Sequence, residues 1–269
     1  MADLAAIEAH LRRAPYLHAY ELGDLDPHER PHTTWFASAS GGASAGASID
    51  AVLLLYRGLA TPTILGLADG DPAALHALIT AHAHELPPIC YAHLTEGLTA
   101  ALAPRYRVEL LSHNLKMALT GAVGEPGSTG ALGEPGAAIH RLTPADADEV
   151  VRFYREAYPA SYFEPVNLVR GPYLAVRDDR GIAAIAGVHV YSPALRVASL
   201  GNIATRPDAR GRGHAGRATA ALCRLLRAGA DVIGLNVRAD NAPAIACYRR
   251  VGFEVRHRYD EWRLELATR

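Results

Sequence analysis

Residues Arg210-Gly211-Arg212-Gly213-His214-Ala215 lie between an apolar stretch, Val197 to Thr205, and a helical run from Gly216 to Arg227. A strand, a glycine turn and a helix in that order suit a pyrophosphate. Glycines keep side chains out of the way so that successive backbone N–H groups can converge on phosphate oxygens, and the helix that starts there adds the positive end of its dipole. The turn predicts a nucleotide-like cofactor.

Gly211-x-Gly213-x-x-Gly216 also satisfies the dinucleotide fingerprint, which requires an acidic residue at the end of the next strand and further βα units beyond it. Here the next strand is Val232 to Val237, Asp231 sits at its wrong end, and few residues remain before Arg269. A Rossmann domain does not fit in that space. The chain continues instead with Asn241-Ala242-Pro243-Ala244, then Cys247-Tyr248 and Val251-Gly252-Phe253, a polar strand end and a short helix closing in Gly-Phe.

With both segments in view, the chain resembles the GNAT superfamily of N-acetyltransferases. The resemblance is carried by Arg-x-x-Gly-x-Ala at Arg210, Gly213 and Ala215, and by Asn241, Ala244, Tyr248, Gly252 and Phe253, in the family's order and spacing. It covers Ile139 to Leu266 and implies an α/β fold with a mixed sheet, the acetyl-CoA N-acyltransferase fold. By resemblance, Arg210 and the amides of Gly211, Arg212, Gly213, His214 and Ala215 cradle the pyrophosphate of acetyl-CoA. The backbone of Ile203 and Thr205 pairs with the pantetheine arm, Asn241 holds that arm from the other side, and Tyr248 protonates the departing thiolate. Acetyl-CoA is the implied co-substrate, and no metal is implied.

Acetyl transfer to an amine needs a deprotonated nucleophile, donors for the oxyanion and an acid for the thiolate. An alkyl ammonium of pKa about 10 is almost wholly protonated at neutral pH, so a base is required. Many relatives place a carboxylate on the strand before the glycine turn, and Val197 to Thr205 contains none. His189, in the mostly apolar strand Ile182 to Tyr191, has the right pKa range and is the first candidate base. Glu164 is the second. Each has a plainer reading, a core histidine and a loop acid, and the plainer reading of Tyr248, second to the catalytic one, is core packing. Tyr154, Tyr158, Tyr162, Phe163 and Tyr173 cluster where the family forms its acceptor pocket, and core packing is expected for about half of them.

Several elements must position these groups. Ile139 to Leu142 reads as a strand, and Thr143-Pro144 starts a helix with Asp146, Asp148 and Glu149 near its positive end. Strands are expected at Tyr173 to Arg177, Ile182 to Tyr191 and Val197 to Thr205, followed by the long helix, the Val232 strand, the Asn241 helix and a last β region from Glu254 to Leu266. Gly121 to Gly136 repeats Gly-Glu-Pro-Gly and reads as a linker. It separates residues 1–120 from an acetyltransferase domain at 137–269.

The first half has a similar rhythm of helices and strands, including helices at Pro72 to Glu85 and Glu96 to Ala103, and reads as a degenerate second copy. The turn after Leu67 is Ala68-Asp69-Gly70-Asp71-Pro72, where two carboxylates repel a pyrophosphate and proline removes a donor. His82 and His84 lack the i, i+4 spacing of a metal pair. Lys116 is the only lysine among 27 basic residues, which reads as arginine-rich codon usage.

Bulk composition bounds the rest. With 269 residues, 49% hydrophobic and 20% charged, the chain can build two modest cores. A formal charge of −1 argues against nucleic acid as a partner. Neither the N-terminal helix nor the broken apolar run Ala51 to Ala68 reads as a signal peptide or a membrane span, so a cytoplasmic protein with no membrane partner is expected. Cys90, Cys223 and Cys247 are too scattered for a disulfide framework. The combined expectation is an N-acetyltransferase acting on a small-molecule or peptide amine by direct attack in a ternary complex, with a homodimer left open. The alternative is a regulatory module that binds acetyl-CoA without turnover.

Overall fold

In a computed structural model, residues 3–39, 48–124, 138–161 and 163–267 are described. Tyr162 and most of the expected linker lie outside them. The chain divides into two compact units: Met1–Lys116 with Arg238–Asp240 and Arg256–Arg269, and Met117–Val237 with Asn241–Val255.

The first unit begins with helices α1 (Leu4–Leu11) and α2 (Ala19–Asp24), then strands β1 (Thr33–Ala39), β2 (Ile49–Tyr56) and β3 (Thr63–Gly66). Helix α3 (Ala73–His82) leads to β4 (Ile89–Leu94) and to β5 (Tyr106–Leu119), whose residues from Met117 onward belong to the second unit. Asp3 caps α1 by accepting the amides of Ala5 and Ala6. The β3-α3-β4 segment is a parallel crossover, with Thr63↔Tyr91 through Gly66↔Leu94 in register. Its core is made by Leu53, Leu55, Ile64, Leu75, Ile79 and Leu94, the inward residues of three strands closed by one face of α3. Where a helix is expected at Glu96 to Ala103, the chain makes only a 3-10 turn, Leu98–Ala101, because Gly97 enters at φ 86 and Pro104 follows.

The second unit contains β6 (Ile139–Arg141), α4 (Ala147–Ala157), α5 (Asn167–Arg170), β7 (Leu174–Asp178), β8 (Gly181–Ser192) and β9 (Val197–Thr205). Helix α6 (His214–Leu226), β10 (Val232–Arg238), α7 (Ala242–Val251) and β11 (Phe253–Leu266) come next, and from Arg256 onward β11 belongs to the first unit, where it pairs antiparallel with β4. The strand order here is β10-β9-β8-β7-β6. Only β9 and β10 run parallel; the other pairs are antiparallel. The central strand β8 is buried continuously from Ile182 to Val188, as expected of a strand covered on both faces. Thr143 and Asp146 close a capping box, and the first turn at Pro144–Asp146 is 3-10 before α4 proper begins. Arg177 on β7 anchors that helix by a two-pronged pair with Glu149 at 2.7 and 2.8 Å. The mixed α/β architecture expected from the sequence is the one observed.

Candidate functional site

The site begins with a fault in β9. Its pairing with β8 runs through Gly187↔Gly201 and resumes at Ile185↔Ala204, so Asn202 and Ile203 oppose the single residue Ala186. Asn202 takes the left-handed conformation, φ 52, which asparagine tolerates better than a branched residue does. Such a bulge bends and twists its strand. On the other edge, β9 pairs with β10 from Val197↔Val232 to Leu200↔Leu235, and the pairing stops there although both strands continue. Ile203 and Thr205, both half-buried, lie on the stretch where the strands have parted. Main-chain groups on that edge are therefore left for another partner, which an extended amide-containing chain can supply.

Hydrogen bonds hold the bulge. The Tyr154 hydroxyl on α4 donates to the Asn202 carbonyl at 2.5 Å. Asn202 Nδ2 donates to the Tyr173 hydroxyl at 2.9 Å, and that hydroxyl donates to the Val188 carbonyl at 3.0 Å. Burial raises the pKa of both phenols, that of Tyr173 to about 12, so they remain donors. Gly187 is required beneath Tyr173: a Cβ there would meet the ring at 2.1 Å.

Beyond β9, buried Arg206 fixes the approach to the glycine turn. Its guanidinium donates to Asp208 at 2.6 Å, Asp178 at 2.7 Å and the Ile182 carbonyl at 2.9 Å. The turn itself places Gly211 at φ 79 and Gly213 at φ 78, and α6 starts directly afterwards with no side chain capping it. Arg210, Gly211, Arg212 and Gly213 are exposed, Ala215 is half-buried and His214 is buried. A Cβ at Gly211 would meet nothing within 4 Å, so the space over the turn is open. An exposed helix start with an uncapped first turn, beside a strand edge left unpaired, fits a pyrophosphate joined to an amide-bearing arm. Arg210 stays close to the main chain, its guanidinium 3.4 Å from the Thr205 and Ala157 carbonyls.

His189 lies against the bulge. A Cβ on Gly201 would meet its ring at 2.2 Å, so glycine on β9 makes room for the imidazole. The residue is exposed to solvent. Crowding by the surrounding protein holds its pKa below the ordinary 6.5, and a hydrogen bond with the Asn202 side chain pulls the other way. Asn202 spends its amide on Tyr173, which leaves its Oδ1 to accept from the imidazole. The imidazole is then neutral at pH 7, with its other nitrogen an acceptor.

Tyr248 is buried on α7 with its ring edge-on to Phe253 at 6.2 Å. Burial raises its pKa, with Cys247 and Tyr158 adding to the shift. No described residue is bonded to its hydroxyl, so the phenol has a proton to offer. Asn241, exposed at the start of α7, caps the helix: its Oδ1 accepts from the Ala244 amide at 3.2 Å. That use leaves its Nδ2 donors for a ligand. Burial also raises the Cys247 thiol, which disfavours a thiolate nucleophile there.

Glu164 is exposed, and its amide donates to Asn167 Oδ1 at 2.6 Å; no described contact joins it to His189 or Tyr248. The described members of the aromatic cluster divide between core and surface. Tyr154 and Tyr173 are core, Tyr158 is exposed, and Phe163 stacks on Tyr154 at 4.9 Å. Beside them Val151, Tyr154, Arg155, Pro159, Ser161 and Phe163 line a cleft of about 230 Å³. Asn202, Gly201 and Gly187 organise the site and were not singled out from sequence. The available signal was Gly201-Asn202 in the middle of an otherwise apolar strand, the composition of a bulge.

Residues 140–253 match the acetyltransferase (GNAT) family. The chain is 30% identical over 199 residues to mycothiol acetyltransferase of Clavibacter michiganensis subsp. michiganensis, covering 68% of this chain and 64% of that protein. The protein of the same name from Clavibacter sepedonicus is 29% identical over the same shares. The chain thus spans 64% of the length of these curated relatives. Among solved structures, a GNAT-family acetyltransferase from Novosphingobium aromaticivorans superimposes with a TM-score of 0.61 at 23% identity, over 91% of this chain and 96% of that one. A tandem GNAT protein from the clavulanic acid biosynthesis pathway does so with a TM-score of 0.53 at 16% identity, over 93% and 88%. These similarities establish the fold.

Proposed function

We propose that this chain, whose residues 140–253 match the GNAT acetyltransferase family, moves the acetyl group of acetyl-CoA to the amine of a small molecule by direct attack. The parting of β9 from β10 beside the uncapped start of α6 carries this reading. In it, the amides from Gly211 to Ala215 hold the pyrophosphate. Ile203 and Thr205 hold the pantetheine through their main chain, and Asn241 contributes its Nδ2.

His189 takes the proton of the acceptor ammonium. The freed amine attacks the thioester carbonyl, an N–H of β9 receives the oxyanion, and collapse of the tetrahedral intermediate breaks the C–S bond. Tyr248, kept protonated by its burial, donates to the departing thiolate, and the second proton shed by the attacking nitrogen as it becomes an amide restores the phenol. The raised thiol of Cys247 disfavours an acetyl-cysteine intermediate. Glu164, exposed and bonded only through its amide in the described contacts, is the weaker base candidate.

The acceptor enters by the cleft at Tyr154 and Phe163. The name of the Clavibacter relatives makes small molecules related to mycothiol the first to test. Thiol release from acetyl-CoA in the presence of a panel of small amines tests the reading. Turnover with at least one amine, lost in Tyr248→Phe, is expected; binding of acetyl-CoA with no release for any amine is the outcome of the regulatory alternative.

A further inference from the structure

Two rings of the second unit are seated on glycines that face each other across a strand pair. Gly187 and Gly201 are partners in the β8–β9 register, and a Cβ on the first would meet the Tyr173 ring at 2.1 Å, on the second the His189 ring at 2.2 Å. Any side chain there would push a ring away. Both rings reach one side chain, since Asn202 Nδ2 lies 2.9 Å from the Tyr173 hydroxyl and the Asn202 side chain is also hydrogen-bonded with His189.

The hydrogens along these contacts run one way. The Val188 carbonyl can only accept, so the Tyr173 hydroxyl, 3.0 Å away, gives it its single hydrogen. The phenol oxygen is then an acceptor toward Asn202, and the end of the amide turned to it is the NH2 group. Oδ1 is left toward His189. There it takes an N–H, which puts the proton of the neutral imidazole on the nitrogen beside Asn202 and the lone pair on the other nitrogen. Turning the amide over would set Oδ1 against a hydroxyl whose hydrogen is already given, and would offer the imidazole a donor instead. Proton and lone pair would then exchange places on the ring. Tyr173 and Asn202 are both buried, so bulk water does not compete for these positions.

We propose that Tyr173 is a positioning residue: by fixing the amide of Asn202 it selects the tautomer of His189 whose lone pair lies on the nitrogen not bonded to Asn202. The consequence for rate rests on the reading of His189 as the base, whereas the tautomer itself does not. Tyr154 supplies an internal contrast. Its hydroxyl also bonds Asn202, but at the main-chain carbonyl, 2.5 Å away, where it has no influence on which way the amide points.

Nitrogen NMR on the full chain with isotope-labelled histidine, at a pH where the ring is neutral, tests it; the His189 signals are identified by their loss in His189→Gln. One tautomer is expected in the unaltered protein and in Tyr154→Phe, and a mixture in Tyr173→Phe. The kcat of Tyr173→Phe should fall about twofold or more, because half or fewer of the rings keep the competent form. Asn202→Gly, which suits the φ of 52 at that position, removes the amide altogether and should give a mixture even if Tyr173→Phe fails to fold. A mixture in the unaltered protein or in Tyr154→Phe, or a single unchanged tautomer in Tyr173→Phe or Asn202→Gly, would overturn the proposal. A tautomer lost with kcat unchanged would leave it standing and remove His189 as the base.

Discussion

Each unit contains a parallel strand pair joined through a turn and a helix, and the two turns have opposite electrostatics. In the second unit the helix starts after Gly211 and Gly213, with no side chain on its first amides and no acid in its first turn. In the first, Asp71 Oδ1 accepts the first amide of α3 at 3.0 Å, so the protein supplies its own anion. The strands differ too. β9 leaves β10 after Leu200, five residues before its end, whereas β3 stays paired with β4 to its last residue, Gly66↔Leu94. Bonding even continues past β3, from the Thr95 amide to the Gly66 carbonyl at 3.1 Å and from the Ala68 amide to Thr95 Oγ1 at 2.9 Å. One crossover therefore leaves donors and a strand edge available, and the other consumes both.

The comparison breaks most visibly at Gly213. Replacing it by Asp gives the second turn the charge of the first, and acetyl-CoA affinity should fall at least ~100-fold, since both the dipole site and the amides are lost to the anion. Circular dichroism checks that the variant is folded, and calorimetry reads the loss. Next in size is Tyr248→Phe, expected to lower kcat about 100-fold while acetyl-CoA affinity holds, because only the proton donor is removed.

His189 sharpens the comparison through pH. The neutral ring is the active form and its pKa is depressed, so kcat/KM should stay level as pH falls through 6.5 and decline only below it. His189→Gln should lower kcat about tenfold or more and remove that acid limb. An unchanged limb would mean another group titrates there.

The smallest effect belongs to the first turn. Asp71→Ala should cost about 1 kcal/mol in urea unfolding by removing the anion from α3. It should not create an acetyl-CoA site, because β3 and β4 remain paired to the end.

The glycine turn, the Asn241 to Phe253 motif and the order of elements were legible because each rests on local chemistry: backbone freedom at glycine, a cap, a burial period. The bulge was not. Whether Asn202 turns to positive φ depends on Tyr154 and Tyr173 meeting it from 48 and 29 residues away, which periodicity does not report. The helix expected after Glu96 is shorter for a local reason that composition hides, since Gly97 at positive φ sets the entry to a 3-10 turn. The place of Lys116 was not legible either. Composition showed it only as a lone lysine; in the fold it is buried between Tyr20 and Tyr259, next to Glu21. Asn241 was legible in position and only partly in use, since the residue expected to hold a ligand also caps its own helix.

The central claim is that one crossover binds acetyl-CoA and the other does not. Calorimetric titration of the full chain addresses it most directly, and the full chain is needed because Arg256–Arg269 complete the first unit. One acetyl-CoA per chain is expected, with all binding lost in Gly213→Asp. Two per chain, or binding that survives in that variant, would contradict the account.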